Sequence, residues 1–238
     1  MISETSIRNT VTNTLRQIGP LRAAVQSTRR NKAKKKRARA FNLYAQAKGT
    51  KKLQIGACNH ALPGWFNVDL MPFYDGVYYM DATEAFPFPD CSFEKVFSEH
   101  MIEHVSYIEA MAMLKECYRI LQPKGKIRIA TPDLRKLVAL YEEPKSPEQK
   151  AYIEAVLLKW RSDYGSNQVG VVINNIFGFE HRFIYDTGTL GEILTRAGFR
   201  NIVQHDPGES GDADLVNIDR HWNDYIQFET LVMEADKE

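Results

Sequence analysis

Cysteine is scarce. The 238 residues contain three, Cys58, Cys91 and Cys117, an odd number without the paired spacing of a zinc site. A disulfide framework is thereby excluded, the thiols are expected to be reduced, and no structural metal is implied. No run approaches the roughly 18–20 apolar residues needed to span a bilayer. The N-terminal stretch MISETSIRNTVTNTLRQIG has no continuous apolar core followed by a small-residue cleavage site, which predicts no secretory leader and a cytoplasmic protein. A G-x-G-x-x-G fingerprint is also missing, which argues against NAD or FAD.

What is present begins with charge. Residues 1–52 carry 14 Lys or Arg against one acid, Glu4, for a net +13, whereas residues 53–238 carry a net −12. The chain is therefore read as a basic N-terminal arm over residues 1–50, helical in character, followed by one domain over 51–238. Nine basic residues and no acid lie between Arg22 and Arg39. Such a block attracts polyanions, whether nucleic acid, anionic lipid or phosphorylated substrate, and is equally compatible with a solvated helix that has no partner. If helical, it sets Leu21, Val25 and Thr28 along one side, with Phe41 and Tyr44 further on. No aromatic residue precedes Phe41 and no RNA-binding signature accompanies the charge, so base readout has little support.

From Lys51 onward, short strand-like runs alternate with helical ones. Strands are expected at 51–56, 65–70, 76–82, 93–99, 125–132 and 200–205, with another near the C-terminus in QFETLVMEA. Ile108, Met111, Leu114, Tyr118 and Leu121 recur at helical spacing and predict a helix over Tyr107 to Leu121. Asp133–Tyr141, Pro147–Arg161 and TGTLGEILTRAGF read as further helices, and the Gly- and Asn-rich stretch Ser162–Phe179 as a loop or lid. Alternation of this kind predicts a parallel sheet with helices on its faces.

Ligands of such sheets bind beyond the carboxyl ends of the strands, so the residues following each strand carry the chemistry. They are Gly56-Ala57-Cys58-Asn59, then Asp69, then Asp81, then Ser98-Glu99-His100. A glycine admits close backbone approach, and a carboxylate at the next strand end can accept two hydrogen bonds from a ribose diol. Individually these are ordinary turn and cap residues; their order fits an adenosyl cofactor.

The blocks LQIGACNHALPGWFNVDL, DATEAFPFPDCSFEKVFSEHMIEHV, MLKECYRILQPKGKIRIATPDL and HRFIYDTGTLGEILTRAGF together resemble the class I S-adenosylmethionine-dependent methyltransferases, specifically a small bacterial group associated with surface-glycan genes. The resemblance covers residues 50–235. It implies an α/β, Rossmann-like sheet of seven strands with helices on both faces. It also implies that Gly56, Ala57 and Cys58 face the methionine part of the cofactor, Asp69 with Leu70 the ribose, Asp81 and Ala82 the adenine, and Ser98, Glu99 and His100 the reacting end. Two departures stand out. Cys58 occupies the place of a usual second glycine, and Ala57 to Trp65 leaves nine residues between the first two strands, too few for a crossover helix.

His100 and His181 are the candidate general bases, and Glu103 is a further catalytic candidate, since a sugar hydroxyl must lose a proton and imidazole titrates near neutrality. His100 to His104 also spells H-x-x-E-H, the inverted zinc-peptidase pattern, which requires a helix that the preceding strand-like KVFSE argues against. A structural role for Glu103 and His104 fits equally well. The expected activity is methylation of a sugar or glycolipid hydroxyl in cell-envelope glycan synthesis, with the arm resting on an anionic inner membrane face. A nucleic-acid-associated enzyme and a cofactor-binding domain without catalysis are the alternatives.

Overall fold

The two central strands are near-continuous apolar runs, as parallel strands covered on both faces must be: Leu53 and Ile55 in the first, Val96 and Phe97 in the fourth, all buried. The computed structural model describes residues 27–160, 167–219 and 224–238. Seven strands, β1 (Lys52–Ile55), β2 (Phe66–Asp69), β3 (Val77–Tyr79), β4 (Phe93–Glu99), β5 (Leu121–Pro132), β6 (Arg200–His205) and β7 (Thr230–Asp236), form one sheet in the order β3-β2-β1-β4-β5-β7-β6. Strand β7 runs antiparallel to both neighbours and the other pairings are parallel. The order reverses between β1, which leads to β2 on one side, and β4, which leads to β5 on the other. That switch point opens a crevice at the carboxyl ends of β1 and β4.

Residues 27–46 form helix α1, along which Arg29, Arg30, Lys35, Lys36 and Arg39 are exposed. The chain divides into two compact units, one ending at Gln46 and the other spanning Ala47–Glu238. Leu21 and Val25 of the expected apolar stripe, and Arg22, lie outside the described residues; Thr28 is exposed, and Phe41 and Tyr44 are half-buried.

Helix α2 (Tyr107–Ile120) opens on a capping box in which Ser106 accepts from the Glu109 amide and Glu109 accepts from that of Ser106. Its buried residues are Ala110, Met113, Leu114, Cys117 and Ile120, whereas Ile108 is 82% exposed. The stripe expected from the sequence is thus rotated. The small residues Ala110 and Cys117 mark the contact face because they permit close approach, and a count of large apolar residues overlooks them. Helices α3 (Leu134–Val138), α4 (Pro147–Trp160), α5 (Gln168–Gly178), α6 (Thr187–Ala197) and α7 (Asp224–Glu229) follow. Residues 168–178 correct the loop expected over Ser162–Phe179. Asn167 caps α5 by accepting from the Gly170 amide, and Val169, Val172 and Ile176 recur at helical spacing in the core shared with Leu137, Tyr152, Ile153 and Val156. The polar Gly and Asn content belongs to the helix's outer side.

The β1–β2 connection contains no helix, as its length requires. Right-handed crossovers that leave a sheet in opposite directions lie on opposite faces. The face left without a β1–β2 helix is therefore the one opposite α2. A later segment closes it: Leu215 packs with Trp65 and Phe97, with Leu62 and Ile218 alongside. Lys52 pairs with Asp214 at 2.8 Å and Lys95 with Asp212, fixing the segment to β1 and β4.

Candidate active site

The turn after β1 is shaped by two left-handed residues. Gly56 has φ +76°, and a Cβ there would meet the Met101 side chain at 2.8 Å, so its glycine is demanded both by conformation and by the segment following β4. Cys58 also lies in the left-handed region, φ +44°. The backbone thus follows the course of the missing second glycine, and a non-glycine residue adopts it at a cost of about 1–2 kcal/mol. The Asp69 carboxylate supports that course, Oδ2 accepting from the Cys58 amide at 2.8 Å and Oδ1 from the Met71 amide at 2.7 Å. An ionised carboxylate has about four acceptor positions, so two remain for a ribose diol. The turn and Asp69 accordingly fit an adenosyl cofactor.

Asp81 lies beyond β3 and closes a turn, accepting from the amide and hydroxyl of Thr83 at 3.0 and 2.7 Å. Ala82 beside it is half-buried, and Leu70 is exposed next to Met71, Phe73 and Tyr74. These residues sit beyond the ends of β2 and β3, without a further feature that singles them out.

At the end of β4, Ser98 and Glu99 are buried. His100 turns the chain with φ +45° while its amide donates to Ala130. A single 3-10 turn, Ile102–His104, then carries Glu103 into the interior. The segment 100–104 is therefore not a helix, and the peptidase arrangement is ruled out by its backbone. His100 Nδ1 lies 3.2 Å from Glu103 Oε1, and Thr131 at the end of β5 donates to Oε2 at 3.0 Å. The Glu103 carbonyl accepts from the amides of Arg182 and Phe183 at 2.7 and 3.2 Å, drawing the second candidate base alongside. His181 Nε2 stands 4.0 Å from Glu103 Oε1, and its ring meets that of His104 edge-on at 4.6 Å.

Burial opposes the charge on His100, but the hydrogen bond and carboxylate of Glu103, with Glu229 and Glu99, outweigh it and hold the imidazolium above its ordinary range. Burial likewise opposes ionisation of Glu103, and His100 overcomes it, keeping the carboxylate below its usual value. At His181 burial prevails despite Glu103, lowering its pKa to about 4. Glu229 is pushed upward by burial against the hydrogen bond donated by Tyr152. Several buried atoms here, Ser98 Oγ, His100 Nε2, His181 Nδ1 and the Tyr185 hydroxyl, have no hydrogen-bond partner among the described residues. Buried polar groups are nearly always paired, so a concentration of unpaired ones marks a place built for something else.

The sequence reading named His100, Glu103 and His181 as separate candidates, and the structure brings them within reach of one another. It missed Thr131, Tyr185 and Glu229. Thr131 could have been found as the end of β5, the strand next to β4; Glu229 follows no motif and is the last residue of α7, just before β7.

Residues 69–129 match the family model described as a methyltransferase domain. The match spans 61 of the 238 residues, about a quarter of the chain. No protein of curated function matches it in sequence. Among solved structures, the chain is similar to an S-adenosylmethionine-dependent methyltransferase of Thermotoga maritima (17% identity, 82% of this chain and 86% of that one, TM-score 0.46). It is also similar to one of Archaeoglobus fulgidus (18%, 86% and 94%, 0.47). A third is phosphoethanolamine N-methyltransferase 2 of Haemonchus contortus, solved with S-adenosylmethionine (15%, 85% and 52%, 0.40).

Proposed function

We propose that the protein is an S-adenosylmethionine-dependent methyltransferase that acts on a hydroxyl of a sugar or glycolipid in cell-envelope glycan synthesis, with His100 as general base. The observation that carries this reading is the His100 ring itself, held through Nδ1 by Glu103 while its buried Nε2 has no partner among the described residues. An imidazole oriented by a carboxylate on one nitrogen offers the other as a proton acceptor. Bound S-adenosylmethionine supplies an electrophilic methyl carbon on a sulfonium. The turn 56–58 and Asp69 hold it, and leave the acceptor to be placed in line by the cleft, where positioning and exclusion of water contribute most of the acceleration. With His100 in its neutral form and Nδ1–H held by Glu103, the acceptor hydroxyl gives its proton to Nε2, Glu103 stabilises the imidazolium that forms, and Thr131 keeps Glu103 in place. His181, held neutral near pH 7 by burial, lines the same wall and is the weaker base. The acceptor class follows the sequence's likeness to surface-glycan methyltransferases.

Incubation with methyl-labelled cofactor and a panel of nucleotide sugars and glycolipids, read by mass spectrometry, should place label on an acceptor oxygen. Label on nitrogen, or on none of the panel, overturns the acceptor assignment.

The exposed cations along α1 support a second part of the proposal, that residues 22–39 rest on an anionic membrane surface close to lipid-linked acceptors. No helix among the described residues is long and apolar enough to cross a membrane. The intact protein is expected to co-sediment with anionic but not neutral vesicles, and a protein starting near Lys48 to lose this while still binding cofactor. Tight RNA binding with indifference to vesicles favours the nucleic-acid reading instead.

A further inference from the structure

The H-x-x-E-H spelling gave no metal site on its own, because residues 100–104 do not form the helix that the pattern requires. The fold produces a different grouping. The segment Glu103-His104 and the segment that begins at His181 are 77 residues apart in sequence from His104 to His181, and the two amides donated to the Glu103 carbonyl fasten one against the other. The result is one carboxylate and two imidazoles, from Glu103, His104 and His181, each offering a ligand atom within 4.8 Å of the other two.

Three further observations bear on what this grouping is for. Glu103 is fully buried, so its charge faces inward among protein groups and not solvent. The His181 side chain is 9% exposed, and its buried Nδ1 has no hydrogen-bond partner among the described residues. Both Glu103 oxygens are held by neighbours outside the grouping, Oε1 by His100 and Oε2 by Thr131. That is the outer layer expected around a ligating carboxylate, which is itself held by hydrogen bonds so that its remaining lone pairs point at the ion. A structural ion pair would need none of the geometric convergence of His104, which is exposed and makes its described contact face-to-edge with the other imidazole.

We propose that Glu103, His104 and His181 bind a divalent transition-metal ion, zinc being the best match, at the rim of the cofactor crevice. Two imidazoles and a carboxylate form a set that zinc and its neighbours accept, with a fourth position open to an oxygen ligand. Tetrahedral ligands at zinc distances stand about 3.3 Å apart. The three side chains therefore draw inward by roughly an ångström, a movement that the exposed His104 can make by changing rotamer. An acceptor hydroxyl or phosphate oxygen is the ligand class that the open position suits. The site goes beyond the methyl-transfer reading and does not depend on the acceptor being a sugar.

The test uses the full chain, stripped with chelator and dialysed, then titrated with Zn²⁺ by calorimetry and with Co²⁺ by visible absorption. One equivalent should bind, with Co²⁺ giving the intense visible bands of low coordination. His104→Ala, whose side chain is exposed and so spares the fold, should weaken binding at least tenfold, and His104→Ala/His181→Ala should abolish the stoichiometric phase. His205→Ala, away from the grouping, should change nothing. Binding that survives undiminished in the double variant, or no stoichiometric binding by the wild type, overturns the proposal. Both readouts are independent of turnover, so failure of the label-transfer experiment leaves this result intact, and the reverse holds too.

Discussion

Two buried polar clusters share strand β5 and differ in how they are finished. Arg128 has no exposed surface, yet each of its three nitrogens is used: Nε reaches Asp219 at 2.9 Å, Nη1 reaches Glu234 at 2.6 Å and the Glu209 carbonyl at 2.8 Å, and Nη2 pairs with Asp219. Asp219 accepts in addition from the Gly208 amide at 2.9 Å. Three residues along, on the other face of the strand, Thr131 supports the Glu103 group, where buried atoms of Ser98, His100, His181 and Tyr185 have no partner among the described residues. A complete network is evidence of structure. An incomplete one at a strand end, in a fold that binds ligands there, is evidence of function.

Breaking the complete cluster should cost the most. Asp219→Ala leaves the Arg128 guanidinium buried with part of its charge uncompensated, and should lower unfolding free energy by about 3–5 kcal/mol in urea titrations, with turnover per folded molecule preserved. A loss below about 1 kcal/mol would place the cluster at the surface in solution. His100→Ala should act chiefly on catalysis. Turnover should fall about a hundred- to a thousandfold with cofactor affinity nearly unchanged, while stability should fall by about 1–3 kcal/mol, because the buried Glu103 carboxylate loses its Nδ1 partner. Full turnover in this variant would reassign the base to His181 or to solvent.

A third expectation concerns Asp69→Ala, which removes a carboxylate serving both the loop and the ribose. Calorimetry should show S-adenosylmethionine affinity reduced by about 1–3 kcal/mol, and unchanged affinity would remove Asp69 from the cofactor site. The smallest effect is expected at the turn. Cys58→Gly relieves the left-handed strain but frees the unfolded chain, two changes that oppose each other and should net to less than about 1 kcal/mol of stabilisation by thermal melting. A clear destabilisation would show that the Cys58 side chain packs in solution.

The strands and the order of residues at their carboxyl ends were legible because period-2 and continuous apolar runs are local signals. Glu103 and His181 were legible as separate candidates. Their adjacency was not, since it depends on two backbone hydrogen bonds between segments distant in sequence. Helix α5 was hidden by its Gly and Asn residues, which lie outside the Val169–Val172–Ile176 stripe that forms it. The contact face of α2 was misjudged because Ala110 and Cys117 contribute by being small. The Arg128 cluster left no trace at all in the sequence pattern, for a lone arginine in an apolar strand acquires meaning only when Asp219 and Glu234 are brought to it.

The short β1–β2 connection has a consequence in time as well as in space. Trp65 and Phe97 are made early in synthesis, but Leu215, which covers them, emerges more than a hundred residues later. Until then one face of the growing sheet has no local segment to shield it, in contrast with the face that α2 covers from the adjoining stretch of chain. Closure across so long a separation is entropically slow, and exposed aromatic surface in the interval favours association between chains. A nascent protein halted before residue 210 should therefore be a strong chaperone client, and one released after residue 219 a weaker one.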